Sequence, residues 1–267
     1  MADLAGPGED DGVRVSHKVA EMGQDLAESG STPTPGSSSC RKGTDRLETT
    51  PHNGDLEPSA DRATVDSSSG KHICVYLGGN LGREQRYIDE ADALGRLMAA
   101  EGIGLVYGGA RVGLMGVLAS AVLTHGGFVT GVVPRQLSYQ ELAREGLSRL
   151  LEVDTMHERK HLMQALSQGC IALPGGFGTL EEIFEALCWS QQPLELHEKP
   201  CCFANIDGYF DHLFEFLDHA AARGLLLPQN RALAKLAPTA AAALQTIQTA
   251  WDEAEQAMLD VIKAYKA

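Results

Sequence analysis

Phe, Trp, Tyr and Ile are missing altogether from residues 1–70. A stretch without them, rich instead in Ser, Gly, Pro and Asp, cannot bury enough apolar surface to offset the entropy lost on ordering. Residues 1–70 are therefore expected to form a disordered acidic tail, and residues 71–267 a single folded domain. Basic residues are scarce: 22 Lys and Arg stand against 36 Asp and Glu, for a net charge of −14. Residues 1–70 carry 13 acidic and 6 basic side chains and the rest carry 23 and 16, so each part contributes −7. A protein that grips nucleic acid by its phosphates needs a clustered basic face, so no nucleic-acid partner is expected. No apolar run approaches the roughly 20 residues that span a bilayer. The first residues include Asp3, Glu9, Asp10 and Asp11 in place of an apolar signal segment, so no membrane association and a cytoplasmic location are expected. The cysteines Cys40, Cys74, Cys170, Cys188, Cys201 and Cys202 show no C-x-x-C spacing. Four of them lie within strand-like apolar runs, which reads as buried free thiols rather than zinc ligands or disulfides.

What is present from Lys71 onward is an alternation of short apolar runs with helical segments. That is the pattern of an α/β fold, a Rossmann-like doubly wound parallel sheet covered on both faces. Strands are predicted over 73–77, 104–107, 128–133, 150–153, 170–173, 200–204 and about 234–237, the third stopping at Pro134. Helices are predicted over about 84–101, 114–125, 155–167, 179–191 and 207–223, with an Ala-rich helix from Thr239 onward. Asp154 and Thr155 are both candidate N-caps for the helix over 155–167. In such sheets ligands bind beyond the carboxyl ends of the strands.

Three glycine-bearing turns follow predicted strand ends: Gly78-Gly79, Gly108-Gly109 and Gly175-Gly176-Phe177-Gly178. Neither the dinucleotide spacing G-x-G-x-x-G at the first turn nor the P-loop G-x-x-x-x-G-K-[ST] occurs, which disfavours NAD binding and ATP hydrolysis. No cofactor is expected, and a mononucleotide or sugar phosphate fits better. The most informative run is Ile171-Ala172-Leu173-Pro174-Gly175-Gly176-Phe177-Gly178-Thr179-Leu180-Glu181-Glu182. It reads as a buried strand, a glycine turn, and a helix opening with a hydroxyl and two carboxylates. Glycine backbone N–H groups can approach an anion closely, and the positive end of the helix dipole points the same way.

Upstream, Met156-His157-Glu158-Arg159-Lys160-His161 also follows a predicted strand end. The cation pair is thereby brought to the same sheet edge, Arg with a planar fork for phosphate or ring atoms and Lys as a point charge. His157 and His161 are four apart, but H-E-x-x-H and a third ligand are lacking, so no metal is expected. Glu181 and Glu185 suit ordinary first-turn helix stabilisers. Glu182 shares a face with Glu185, Ala186 and Trp189, where desolvation disfavours its charge and a nearby Arg159 would favour it. Phe177, Leu180 and Phe184 are expected to pack on the core.

These residues resemble the LONELY GUY family of phosphoribohydrolases, cytokinin-activating enzymes that are often mislabelled lysine decarboxylases. The resemblance rests on Pro174-Gly175-Gly176-x-Gly178-Thr179-x-x-Glu182, on Met156-His157-Glu158-Arg159-Lys160, and on Val106-Tyr107-Gly108-Gly109 with Gly113-Leu114-Met115-Gly116. It runs in motif order over roughly 73–237. It implies a homodimer that cleaves the N-glycosidic bond of an adenosine 5′-monophosphate, N6-modified in the cytokinin case, to free base and ribose 5-phosphate. Residue by residue, it makes Arg159 and Glu182 the catalytic pair. It makes Gly175, Gly176, Phe177, Gly178, Thr179, Leu180 and Glu181 the phosphate and ribose binders, with Lys160, Met156, Gly109 and Glu141 also contacting substrate. Three positions depart from the family: Gly79 replaces a usual Ser, Ala110 a third Gly, and Gln168 a common Asp.

The chemistry agrees with the bare residues. Breaking a ribosyl bond builds positive charge on the sugar, which an anionic Glu182 stabilises in the transition state, while Arg159 meets the departing base. Two related readings are a general AMP nucleosidase and a non-catalytic carrier of a nucleotide or molybdopterin-type ligand. A pyridoxal-dependent decarboxylase ranks last, because no Lys of the folded part stands in a phosphate-cofactor setting.

Overall fold

The computed structural model describes residues 70–138, 146–191 and 199–266. The tail assigned to residues 1–70 thus lies outside the described residues except for Gly70, and Glu141 lies outside them too. Seven strands form one sheet: β1 (His72–Tyr76), β2 (Gly104–Tyr107), β3 (Val129–Pro134), β4 (Arg149–Val153), β5 (Cys170–Ala172), β6 (Cys201–Ala204) and β7 (Ala234–Ala237). Between and after them run α1 (Gln85–Ala100), α2 (Gly113–Thr124), α3 (Arg135–Ser138), α4 (Met156–Ala165), α5 (Phe177–Ser190), α6 (Asp211–Ala222), α7 (Pro228–Arg231) and α8 (Ala240–Lys266). Every pairing is parallel, in the order β4-β3-β2-β1-β5-β6-β7.

Alternation along the strands builds a core on each face. Ile73, Val75, Leu105, Tyr107, Ile171 and Cys202 join residues of α1, α2 and α8 on one side. Cys74, Tyr76, Val106, Cys170, Ala172 and Phe203 join residues of α4, α5 and α6 on the other. The predicted doubly wound architecture is therefore the observed one. Cys74, Cys170, Cys201 and Cys202 are buried free thiols as expected, whereas Cys188 is exposed and free.

Several boundaries differ from the sequence reading. Pro134 is the last residue of β3 rather than the stop before which it ends. By that point β2 has ended, its last partner being Gly131, and only β4 lies alongside, so the missing N–H of Pro134 costs no ladder bond toward β2. Helix α5 begins at Phe177, two residues earlier than predicted, with Gly176 in a non-helical conformation as its N-cap. The short α3 and α7 were not predicted, and α4 ends at Ala165. No helix among the described residues is long and apolar enough to cross a membrane.

The order of the strands sets the site. The chain leaves β1 through β2, β3 and β4 toward one edge, and α4 carries it back to β5, which pairs with β1 on the other side. The connections after β1 and β5 therefore diverge, opening the crevice in which ligands of doubly wound sheets bind.

Candidate active site at the carboxyl edge

The three glycine turns meet at this crevice. Gly78 N–H donates to the Pro174 carbonyl at 3.1 Å, and Leu114 N–H donates to the Gly78 carbonyl at 3.1 Å. Gly113 has φ 62°, and a Cβ there would fall 2.3 Å from the Gly79 carbonyl oxygen. Only glycine lets the second turn close on the first in this way. Gly109, with φ 77°, lies against Val133 of β3.

Arg159 enters from α4. Thr155 is the N-cap of this helix: its hydroxyl accepts from Glu158 N–H at 3.1 Å, while Glu158 Oε2 accepts from Thr155 N–H at 3.2 Å and from Asp154 N–H at 2.9 Å. This capping box settles the choice between Asp154 and Thr155 and fixes the turn that carries Arg159. Thr155→Ala is expected to cost about 1 kcal/mol of stability, read by denaturant unfolding.

Because α4 returns from the edge strand over the sheet, Arg159 reaches inward. Its Nε donates to the Val132 carbonyl at 3.2 Å and its Nη1 to Glu182 Oε1 at 2.8 Å. The guanidinium lies over the end of β2, where a Cβ on Gly108 would come within 2.1 Å of Nη2. A side chain at this position would push the guanidinium aside.

Glu182 projects from the second turn of α5 and is 8% exposed. Burial pushes its carboxyl above the ordinary value, and the charge and hydrogen bond of Arg159 pull the other way without cancelling that effect. The outcome of the two opposing influences foreseen from sequence is therefore a raised carboxyl. A raised carboxylate paired at 2.8 Å with a guanidinium at a sheet's carboxyl edge is a tuned group. Lys160, one residue on, also reaches α5. Its ammonium bridges Glu181 Oε1 and, at 2.8 Å, Glu185 Oε2, which hold its pKa up. Lys160 is thus committed to tying α4 to α5 beside the Arg159–Glu182 pair.

The loop itself offers the amides of an open helix end. The first N–H groups of α5, from Phe177 onward, have no partner within the helix and face the crevice with the positive end of the dipole. Thr179 is buried and its hydroxyl folds onto Gly175. Leu180 and Phe184 pack on the core as expected. Phe177 does not: it is 94% exposed, since the earlier start of α5 puts it at the helix tip. Met156, the first residue of α4, is also exposed.

Below the pair lies a polar floor that the sequence did not disclose. Gln164 Nε2 donates to Tyr76 Oη at 2.6 Å, and Cys170 Sγ lies 3.9 Å from that same oxygen. Two further aromatic residues, Tyr87 and Tyr209, were also missed; both line a cavity beside the glycine loop. The Asp207-Gly208 turn, which in the sequence reads as a helix start, is the available signal for Tyr209.

The family described as "Possible lysine decarboxylase" matches residues 115–247. A protein of Oryza sativa subsp. japonica named as a probable cytokinin riboside 5'-monophosphate phosphoribohydrolase is 42% identical over 185 residues, 69% of this chain and 75% of its own. One of Arabidopsis thaliana with the same designation is 44% identical over 184 residues, 69% of this chain and 90% of its own. The cytokinin riboside 5'-monophosphate phosphoribohydrolase of Rhodococcoides fascians is 46% identical over 162 residues, 60% of this chain and 81% of its own. Among solved structures, the Moco carrier protein of Chlamydomonas reinhardtii superposes with a TM-score of 0.52 at 20% identity, covering 68% of this chain and 98% of that one. The molybdenum cofactor binding protein of Rippkaea orientalis gives 0.52 at 21% identity, with 68% and 98% covered. At such identities these two share the fold alone.

Proposed function

Because the chain belongs to the LONELY GUY family of cytokinin riboside 5'-monophosphate phosphoribohydrolases, we propose that it hydrolyses the N-glycosidic bond of N6-modified adenosine 5′-monophosphates. The products are the free base, a cytokinin, and ribose 5-phosphate. The observation that carries this reading is the buried Arg159–Glu182 pair, 2.8 Å apart, beside a glycine turn that opens a helix.

The phosphate lies on the amides of Gly175, Gly176, Phe177 and Gly178, where backbone donors and the dipole of α5 both favour an anion. The ribose then lies over Thr179 and Glu182, and the base toward Arg159. As the C1′–N9 bond breaks, its electron pair stays on the purine and positive charge grows on the sugar. The anionic Glu182 stabilises that charge and orients the ribose hydroxyls or the attacking water. Water supplies a hydroxyl to C1′, and its proton ends on the base. Arg159 meets the negative charge gathering on the leaving purine. One carboxylate suffices where glycoside hydrolases use two, because a purine leaves more easily than a sugar alkoxide. Lys160 supports the pair from behind through Glu181 and Glu185. The family resemblance adds Met156, Gly109 and Glu141 as substrate contacts. The family reading also carries a homodimer and a nucleotide substrate in the cytoplasm.

The direct test compares three substrates: isopentenyladenosine 5′-monophosphate, AMP, and isopentenyladenosine without phosphate. Free base and ribose 5-phosphate are expected in equal amounts from the first, less from AMP, and almost none from the nucleoside. Equal release from the nucleoside would remove the phosphate from the proposed cradle. AMP cleaved as well as the prenylated nucleotide would make the enzyme a general AMP nucleosidase.

The raised Glu182 carboxyl adds a pH dependence. If the anion is the working form, kcat/KM falls as pH drops through that raised pKa, so the acid limb stands above the ordinary carboxylate range. A flat profile down to the ordinary glutamate value would contradict the anionic role.

A further inference from the structure

Beside the glycine loop lies a cavity of about 180 Å³, well below the roughly 300–1,000 Å³ of sites that enclose a whole small ligand. It has room for one end of a nucleotide. One wall is backbone, from Gly78 and Gly79 after β1 and from Gly175 and Gly176 after β5. Its aromatic lining comes from Tyr87 of α1 and Tyr209 of the β6–α6 connection, whose rings meet edge to face with centroids 5.7 Å apart.

This aromatic wall is tied down from several directions. Tyr209 Oη donates to the Gly175 carbonyl at 2.9 Å, linking the ring to the loop it faces. Its ring also meets Phe210 edge to face at 4.9 Å, and Phe210 is buried in the core. Phe210 N–H donates to Asn205 Oδ1 at 2.7 Å, holding the turn from its other end. Within that turn Asp207 has φ 51°, a conformation that non-glycine residues rarely adopt and that persists where the surroundings impose it. Its carboxylate pairs at 3.6 Å with Arg86, the neighbour of Tyr87 on α1.

Gly78 N–H is already bonded to Pro174, so the donors beside this cavity are the open amides at the start of α5, whereas the tyrosines contribute ring carbons and adjoin the Asp207–Arg86 pair. A single phosphoryl group is met by donors. A second one, attached to the first, would run into the tyrosine rings, which solvate an anion poorly. Resting on the phosphate-cradle reading above, we propose that Tyr209, anchored to Gly175 and backed by Tyr87, is the specificity-determining residue that limits the substrate to a 5′-monophosphate.

The test measures kcat/KM for base release and, separately, equilibrium binding for isopentenyladenosine 5′-monophosphate and its 5′-diphosphate. The proteins are wild type, Tyr209→Phe, Tyr209→Ala and Tyr87→Ala. The wild type is expected to favour the monophosphate in both measurements. Tyr209→Ala is expected to raise the diphosphate-to-monophosphate ratio about tenfold or more, with Tyr209→Phe, which keeps the ring and loses the anchor, in between. A ratio that stays within about twofold of wild type in both alanine variants would overturn the proposal, as would a wild type indifferent to the second phosphate. The binding ratio decides even if no base is released by any protein. That outcome would defeat the hydrolase reading and leave the wall to be judged on binding alone. Should Tyr209→Ala lose its fold, seen as a lost thermal transition, the Tyr87→Ala ratio carries the decision.

Discussion

Replacing Glu182 by Gln is expected to lower base release by about 10²–10⁴-fold while the nucleotide still binds. The amide keeps the size of the side chain and an oxygen to accept from Arg159 Nη1, so the bound geometry survives. What disappears is the negative charge, which is worth most when the sugar becomes cationic and little when the intact nucleotide sits in the cradle. The loss therefore falls on kcat, with KM moving little. Stability behaves differently. A carboxyl whose folded pKa is raised contributes stability below its unfolded pKa and loses that contribution as pH rises through the folded value. At neutral pH the ionised Glu182 is a cost to the fold, so Glu182→Gln is not expected to lower the melting temperature in proportion to its effect on rate. A variant that lost activity and the fold together would point to a structural role for the carboxylate instead.

Arg159→Met is expected to damage both. It removes the hydrogen bond to Glu182, the bond to the Val132 carbonyl, and the cation over Gly108. Breaking a buried pair by deleting one partner costs about 3–5 kcal/mol when the remaining charge stays buried and unpaired. Here protonation of Glu182 offers an escape, since losing Arg159 removes the main influence holding its pKa down. The stability deficit against wild type should therefore be largest at neutral pH and shrink as pH falls through the further raised pKa. Base release should fall by orders of magnitude because the leaving purine loses its partner and Glu182 its charge. Thermal melts across a pH series check the first claim and turnover checks the second. A deficit independent of pH would mean that the two groups do not share the coupling their 2.8 Å contact implies.

The reach of the sequence follows from which contacts are local. Strands such as β1 and β2 announce themselves by short apolar runs followed by glycine, and the all-parallel sheet follows from their alternation with helices. The turn Gly175–Gly178 and the positions of Arg159 and Glu182 after strand ends were readable for the same reason. Their pairing was not written in any single motif. It depends on α4 crossing back over the sheet, so that residues 23 apart in sequence meet above β2 and β3. Tyr209 lay further out of reach, being 34 residues from the Gly175 it holds and delivered there by a turn with an unusual aspartate conformation. Phe177 is exposed although its apolar character suggests a core position, because α5 starts at that residue. The commitment of Lys160 to Glu181 and Glu185 similarly depends on how α4 and α5 pack, and only the folded chain displays it.

The most direct measurement is the fate of isopentenyladenosine 5′-monophosphate incubated with the purified full chain, followed by chromatography of the products. Free isopentenyladenine and ribose 5-phosphate appearing in equal amounts, and disappearing with Glu182→Gln although the variant still binds nucleotide, is the expected result. Nucleotide that is bound tightly by the wild type and recovered intact would contradict it, and would make the Arg159–Glu182 pair part of a carrier rather than of a hydrolase.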